Sequence, residues 1–299
     1  NFTQIFKYFI NFLFIKYFII ILMEKNIYLL GDIGYYNEHT YNIFKSINHD
    51  SKKGDCLVLL GDNFYPSGVI SENGKSWENI RKAKIKIPIF PILGNHDYLL
   101  NPYAQIRHTS DDYKWSFPYF YYKVTVNNYD LFLIDTCILQ PNYSNITEDI
   151  MNKKIVNYEN ERIEMIKWLE HELKKSKNKK IVIGHYPIIS LGIYGVNNDL
   201  FSMLIDLFEK YNVLAYISGH DHNLQIHSVK NNCSNYQLKH MVSGSGSGIY
   251  NYSSFKLEDD NKNIFYKNGF IKLVTNQKEE KLKILIMDEY CNVVHSELL

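Results

Sequence analysis

Five apolar runs in this chain each end in a glycine followed at once by an aspartate, an asparagine or a histidine: Gly31-Asp32, Gly61-Asp62, Gly94-Asn95-His96, Gly184-His185 and Gly219-His220-Asp221-His222. A lone Gly-Asp is an ordinary turn, because aspartate readily bonds its own backbone there. Five of them behind five strand-like runs constrain the topology. From residue 27 to 97, apolar runs (27–30, 57–60, 87–93) alternate with mixed segments of helical length (38–49, 77–86), which is the rhythm of βαβ units. In such a sheet the carboxyl ends of the strands share one edge, so polar side chains far apart in sequence meet in one crevice.

The rest of the chain keeps the alternation. Residues 120–126 and 131–134 read as a hairpin about Asn127-Asn128, and a helix is predicted over 159–175 with Ile163, Ile166, Leu169 and Leu173 on one stripe. Then come strand 181–183, helix 200–211, and strands 213–217, 223–229, 238–242, 270–274 and 282–287. Strands at both ends with helices between them argue for two sheets in one domain, and neither a Pro/Gly-rich linker nor an internal repeat divides the chain. The run Ser243 to Gly248, alternating serine and glycine, has the composition of a flexible linker but directly follows a strand, so it reads equally well as a tight functional loop. Two longer polar stretches, 140–157 and 251–267, have the length of lids or binding segments, or of surface insertions.

Composition narrows the partners. Lys+Arg 33 against Asp+Glu 32, with no long block of one sign, gives no nucleic-acid footprint, so a small partner and a monomer are expected. The densest basic run, Lys174 to Lys180, ends an amphipathic segment, where cations suit a helix C-terminus. Four cysteines without a C-x-x-C are too few for a disulfide scaffold, though one disulfide stays open. Residues 1–22 form a hydrophobic N-terminal segment interrupted by Lys7, Asn11 and Lys16, and read as a signal peptide, an anchor or non-coding upstream sequence. If that segment is real, the chain enters the secretory pathway (secreted, vacuolar or lysosomal, or membrane-anchored), and residues 5–23 are open to membrane association. Acceptor motifs at Asn142, Asn145, Asn232 and Asn251 fit secretion, but an Asn-rich chain also makes them by chance. Residues 23–299 are expected to form a single domain.

The chemistry lies in the turns after the strands. Asp32, Asp62, Tyr65, Asn95, His185, His220 and His222 offer two carboxylates, one phenol, one amide oxygen and three imidazoles. Seven donors exceed a tetrahedral zinc site and suit two octahedral ions that share a carboxylate and keep positions for water. A tyrosine three residues after Asp62 is the unusual member. Its phenol, with an ordinary pKa near 10, ionises readily only against a highly charged cation such as Fe(III).

Asp32-x-Gly34, Gly61-Asp62-Asn63-Phe64-Tyr65, Gly94-Asn95-His96-Asp97, Gly184-His185-Tyr186-Pro187 and Gly219-His220-Asp221-His222-Asn223-Leu224-Gln225 closely resemble the metallophosphoesterases, specifically purple acid phosphatases of the tartrate-resistant type, in order and spacing from about 26 to 287. The resemblance implies an α/β fold of two mixed β-sheets packed face to face and flanked by helices, a four-layer αββα sandwich. It also implies two metal ions, Fe(III) plus a divalent ion (Fe, Zn or Mn). Asp32, Asp62, Tyr65 and His222 would hold the first, with Asp62 bridging, and Asn95, His185 and His220 the second. The implied activity is acid phosphatase: hydrolysis of small phosphate monoesters by a metal-bound hydroxide, with His96 catalytic and Asn95, His96 and Tyr194 binding substrate.

Two departures stand out. Where relatives carry a further cleft histidine, this chain reads Ile193-Tyr194-Gly195, and a phenol does not carry a proton near neutral pH as imidazole does. No cysteine lies near 198–204, where the mammalian members have one of a pair. The stretch 140–157 falls where relatives carry an exposed loop over the site, and it is expected to restrict access. The alternative reading is a catalytically weak or inactive phosphatase-fold scaffold held at a membrane. The complete set of donors favours the enzyme, and the apolar N-terminus favours the anchor.

Overall fold

The computed structural model describes residues 24–108, 114–231, 234–250, 263–278 and 281–299. The apolar segment 1–22, Cys233, the acceptors Asn232 and Asn251, and most of the stretch 251–267 lie outside them.

The strands in chain order are β1 (Glu24–Leu30), β2 (Cys56–Leu60), β3 (Ile89–Ile92), β4 (Tyr122–Val126), β5 (Tyr129–Leu133), β6 (Lys179–Ile183) and β7 (Val213–Ser218). They continue as β8 (Leu224–Lys230), β9 (Gln237–Ser243), β10 (Ile264–Phe265), β11 (Gly269–Asn276), β12 (Lys283–Asp288) and β13 (Val293–Leu298). One sheet has the order β13-β12-β11-β1-β2-β3 and the other β10-β8-β9-β7-β6-β5-β4. Both are mixed. β1, β2 and β3 run parallel, as do β5, β6, β7 and β9, while β11, β12, β13, β4, β8 and β10 pair antiparallel to their neighbours. The two sheets meet through β11, β8 and β9, and their buried residues form one continuous apolar cluster.

The helices are α1 (Glu38–Asp50), α2 (Glu78–Ala83), α3 (Pro102–Arg107), α4 (Thr136–Leu139), α5 (Glu148–Lys154), α6 (Tyr158–Lys175) and α7 (Asn198–Lys210). Helix α1 starts at Asn37, whose side chain accepts from the Thr40 amide, and buries Ile43, Phe44 and Ile47. Every residue of β2 is buried, as a strand covered on both faces requires. These elements carry the chain back and forth so that the turns after β1, β2, β3, β6 and β7 share one edge. None of the helices among the described residues is long and apolar enough to cross a membrane.

Three details differ from the expectations. In α6 the buried stripe is Tyr158, Met165, Leu169 and Leu173, whereas Ile163 is 51% exposed. Ile163 therefore lies off the face that packs. The stretch 140–157 contains α5, capped by the Thr147 hydroxyl and pinned by the buried Met151; a helix this polar shows no apolar period in sequence. The edge strand β13 was also not expected, because its mostly half-exposed residues give no clean alternation. Cys56, Cys137 and Cys291 are free thiols.

Candidate metal centre

Where β1, β2 and β7 end, the backbone adopts a conformation that L-residues rarely take. Asp32 (φ 60°), Asp62 (φ 52°) and His220 (φ 67°) are all left-handed without being glycine. Strain of this kind persists only where neighbours over-determine it, and here hydrogen bonds do so. The Asp32 amide donates to the Gly61 carbonyl (3.0 Å), the His220 amide to Asp32 Oδ2 (2.8 Å) and the His96 amide to Asp62 Oδ1 (2.9 Å). Gly94 is needed because a Cβ there would sit 2.2 Å from Asp62 Oδ1 and 2.7 Å from His185 Cε1. Gly34 is needed because its Cβ would meet the Tyr65 backbone nitrogen at 2.2 Å.

The predicted side chains come together in two groups. In the first, the Tyr65 hydroxyl lies 3.0 Å from Asp32 Oδ1, 3.1 Å from Asp62 Oδ2 and 3.0 Å from His222 Nε2. In the second, His185 Nε2 lies 3.0 Å from Asn95 Oδ1, 3.2 Å from His220 Nδ1 and 3.6 Å from Asp62 Oδ1. Asp62 reaches both groups with different oxygens. The outer nitrogen of His185 is already engaged, while that of His220, Nε2, is buried with no hydrogen-bond partner among the described residues. His185 Nδ1–H donates to the Leu60 carbonyl (2.8 Å), which leaves the Nε2 lone pair facing inward.

This arrangement fits cations. Lone pairs of oxygen and nitrogen stand at contact distance with few protons to share among them, and the donor atoms of Asp62, His185 and His220 all lie within 4.8 Å of one another. The electrostatics agree in direction. Burial, then the neighbouring Asp32 charge, pushes the Asp62 carboxyl up against the pull of His185. Burial and the charges of Asp32 and Asp62 push the Tyr65 phenol well above its usual value. His220 goes far the other way through burial and the facing His185. Burial opposes charge on His222, but the hydrogen bond and charge of Asp32 raise it overall. A positive ion between these groups relieves all of these penalties at once.

His96 is 31% exposed at its side chain and stands edge-on to the Tyr65 ring (4.7 Å between centroids). Its Nδ1–H is held by the Pro66 carbonyl (2.6 Å), so Nε2 faces the site, 3.9 Å from Asp62 Oδ2. Tyr194 packs over the His220 ring at 4.3 Å. All nine residues of the expected set thus lie at one edge, each in contact with at least one other.

Five details go beyond the sequence expectations. Asn145, from the stretch 140–157, accepts a hydrogen bond from Asn95 Nδ2 (2.8 Å) and so turns the amide oxygen of Asn95 toward His185. Beside it, Tyr143 packs on Tyr186 (4.9 Å) and Ser144 bonds the Tyr186 hydroxyl (2.7 Å), so this segment is docked on the site. At the mouth, Tyr35 covers Tyr65 (4.7 Å) and Tyr250 stacks flat on His222 (4.2 Å, 7°). The Ser243 to Gly248 run is a buried brace: Gly31 N–H donates to the Ser243 carbonyl, Gly246 N–H to the Gly31 carbonyl, and the Ser247 hydroxyl to the Asp32 carbonyl. Asp97 also braces the turns, taking bonds from the Asn63, Phe64 and Gly94 amides and from Gln105; burial, then the Asp62 charge, raises its carboxyl to about 7. The brace had a sequence signal in its alternating glycines directly after a strand, Asp97 stands in the Gly94-Asn95-His96-Asp97 motif, and the stretch 140–157 was expected over the site; the contacts of Asn145, Tyr35 and Tyr250 had none.

Comparison with known proteins gives a consistent picture. The calcineurin-like phosphoesterase family profile matches residues 25–224. The chain is 32% identical to the tartrate-resistant acid phosphatase type 5 of Rattus norvegicus over 208 residues, 64% of this chain and 61% of the relative. It is 29% identical to purple acid phosphatase 7 of Arabidopsis thaliana over 263 residues, 82% of this chain and 76% of the relative. The match thus spans about three fifths of the mammalian relatives' length. Among solved structures, GAP50, the anchor in the inner membrane complex of Plasmodium, superposes with a TM-score of 0.69 at 23% identity, covering 93% of this chain and 89% of that one. The purple acid phosphatase of yellow lupin seeds superposes at 0.63 and 16% identity, covering 92% and 53%. At those identities the two structures share a fold with this chain.

Proposed function

This chain belongs to the calcineurin-like phosphoesterase family, and on that premise we propose that it is a metal-dependent phosphomonoesterase of the purple acid phosphatase kind. The observation that carries the reading is the Tyr65 hydroxyl set among Asp32, Asp62 and His222 while Asp62 also reaches the group of Asn95, His185 and His220. The family uses a dinuclear metal centre. In this reading Asp32, Tyr65 and His222 would hold Fe(III), Asn95, His185 and His220 would hold a divalent ion, and Asp62 would serve both. Such a pair supplies Lewis acidity, which makes water a better nucleophile and offsets charge on the phosphoryl group.

The chain's own residues complete the reaction. Water oxygen bonds to phosphorus as the P–O bond of the ester breaks, and the leaving oxygen needs a proton. His96, its Nδ1–H fixed on Pro66 and its Nε2 open to the cleft, is set to deliver that proton. The Asn95 amide and the Tyr194 phenol hold phosphate oxygens. Tyr35 and Tyr250 offer flat apolar faces to the rest of the substrate.

The test is the visible absorption spectrum of the protein loaded with iron. A broad purple or pink band that disappears in Tyr65→Phe is the expected result. A colourless protein, or a band unchanged by Tyr65→Phe, removes the Fe(III)–phenolate assignment. A membrane scaffold is the second reading, favoured by the apolar residues 5–22 together with the fold shared with GAP50, the anchor in the inner membrane complex of Plasmodium. A metal-loaded protein without turnover on any phosphate monoester would favour it.

A further inference from the structure

The edge opposite the metal centre has a chemistry of its own. β2 and β3 begin there, and so does β5 after the turn that follows β4. Between them lies a groove of about 610 Å³ lined by Lys52, Lys53, Lys86 and Lys114 at its rim and by Ile87, Phe90, Val124 and Val126 on its floor. The four lysines are exposed, and none of their ammonium groups forms an ion pair among the described residues.

Among the described residues, the acids beside Lys52 and Lys53 are spoken for. Asp55, the carboxylate lining the groove, takes hydrogen bonds from the Asn26 amide, the Asn26 side chain and the Lys52 amide, each at 2.9 Å. Asp50 is paired with Lys272 and accepts from the Tyr28 hydroxyl. Lys25 extends the same face, with its Nζ on the Lys53 carbonyl (2.9 Å). The C-terminal turn of α6 adds Lys174 and Lys175 to this end of the molecule. Those two suit a helix terminus, as do Lys52 and Lys53 directly after the C-terminus of α1, whereas Lys114 precedes the β-bridge at Trp115 and follows no helix end closely.

A second observation bears on the partner of this face. The described chain starts at Glu24, the first residue of β1 and next to Lys25. The residues before it, 5–22, are apolar apart from Asn11 and a few hydroxyl-bearing tyrosines, and carry Lys7 and Lys16 but no acid. Chain fit for a lipid interior thus leaves the domain at its lysine-bearing edge, where a loose lysine set beside an apolar floor matches anionic headgroups over acyl chain.

We propose that this edge is a docking surface for an anionic lipid bilayer, so that the domain rests on the membrane through Lys52, Lys53, Lys86 and Lys114 with its metal centre turned away from it. The inference is independent of catalysis, since it needs none of the metal-site residues.

The experiment is vesicle flotation with the full chain, on phosphatidylcholine alone and on phosphatidylcholine containing about one third phosphatidylserine. Wild type should bind the anionic vesicles at least about tenfold more tightly, and the preference should collapse on raising salt to about 0.5 M. Combined Lys52→Glu, Lys53→Glu, Lys86→Glu and Lys114→Glu should abolish the preference and leave binding to neutral vesicles as it was. Reversal of four lysines elsewhere (Lys82, Lys153, Lys167 and Lys210) should leave the preference intact. An unchanged thermal midpoint and unchanged turnover of a soluble phosphate ester show that the groove variant is folded. Equal wild-type binding to both vesicles would overturn the proposal by assigning attachment to residues 5–22 alone. Equal loss in both lysine sets would overturn it in favour of general charge. A soluble polyanion such as polyglutamate displacing the chain from vesicles at micromolar levels would reassign the groove to acidic polypeptide.

Discussion

The two ends of the same strands are built on opposite principles. At the carboxyl ends of β1, β2 and β7, Asp32, Asp62 and His220 are forced into left-handed backbone, and Asp62 and Asp97 are carboxyls pushed up by burial among like charges. At the amino ends the left-handed residues include the tolerant Asn127 in the β4–β5 turn and Gly54 before β2 as well as Lys84 ahead of β3, and exposed lysines stand around the hydrogen-bonded carboxylate of Asp55. One edge sets buried like charges against one another; at the other the buried carboxylate Asp55 is met by three hydrogen bonds. Strain and buried charge collect where a ligand repays them, so the comparison itself marks the carboxyl edge as the reactive one.

The largest effect should come from breaking the join between the two donor groups. Asp62→Asn removes the carboxylate that faces both Tyr65 and His185, and turnover of a phosphate ester should fall by at least about 1,000-fold, as for loss of an essential electrostatic group. In chelator, the same change should leave the thermal midpoint unchanged or raise it, because it removes a buried like charge beside Asp32. Retained turnover, or a midpoint lowered in chelator, would mean that Asp62 serves the fold.

A second histidine cluster sharpens the contrast, because it has no carboxylates. His227 on β8 pairs directly with His240 on β9, their rings 4.9 Å apart. His240 Nε2 accepts from the Ile188 amide (3.2 Å). Burial, then the charge of Lys239, lowers His227 from 6.5 to about 4, and burial, then His227, lowers His240. The unfolded chain therefore binds protons before the native one does, so this contribution to stability is complete above pH 6.5 and is lost as pH falls toward 4. For His227 alone the loss amounts to at most about 3 kcal/mol. Denaturant titrations at pH 7 and pH 4.5 should show it, and His227→Leu should flatten the difference. An unchanged difference in that variant would assign the acid sensitivity elsewhere.

Much of the carboxyl edge was legible in the sequence, because glycine followed by a donor leaves a mark that survives without neighbours. Asp32, Asp62, Tyr65, Asn95, His96, His185, His220 and His222 all stand immediately after or within a few residues of strand ends, and the strands fold them together. What orients them was not legible. Asn145 looks like any other asparagine in a polar stretch, and its contact with Asn95 exists only because Ile146 is fully buried and the Asn142 amide closes the turn on the Ile146 carbonyl. The basic groove was hidden for the same reason, since Lys52, Lys86 and Lys114 are brought together by strand register alone. A near-neutral total charge concealed that four exposed lysines gather at one groove.

Asn145 gives an intermediate effect. Asn145→Ala removes the acceptor that holds Asn95 Nδ2, and loss of such an outer partner costs about 10–100-fold in metal affinity. Calorimetric titration of the metal-free protein should resolve this as weakening of one of two binding steps, since Asn95 belongs to the group with His185 and His220. Equal weakening of both steps, or none, would show that the segment covers the site without orienting it. Faster turnover at saturating metal would show that it restricts access, the role expected of this stretch.

The smallest effects should lie at the amino edge, and their size decides what the lysines are for. Lys52→Ala, Lys53→Ala, Lys86→Ala and Lys114→Ala should each change unfolding free energy by less than about 0.5 kcal/mol, since an exposed ammonium with no ion pair among the described residues gives folding little to lose. Taken together they should be neutral or slightly stabilising, because like charges along one groove repel. By contrast, Gly94→Ala at the other edge must displace Asp62 or His185. If any of the four lysine changes costs more than about 1 kcal/mol, that ammonium is part of the fold's own electrostatics and its place in a membrane-facing set falls. If all four are silent, their alignment over an apolar floor has no explanation inside the molecule, and the reason for it must lie in what the groove meets.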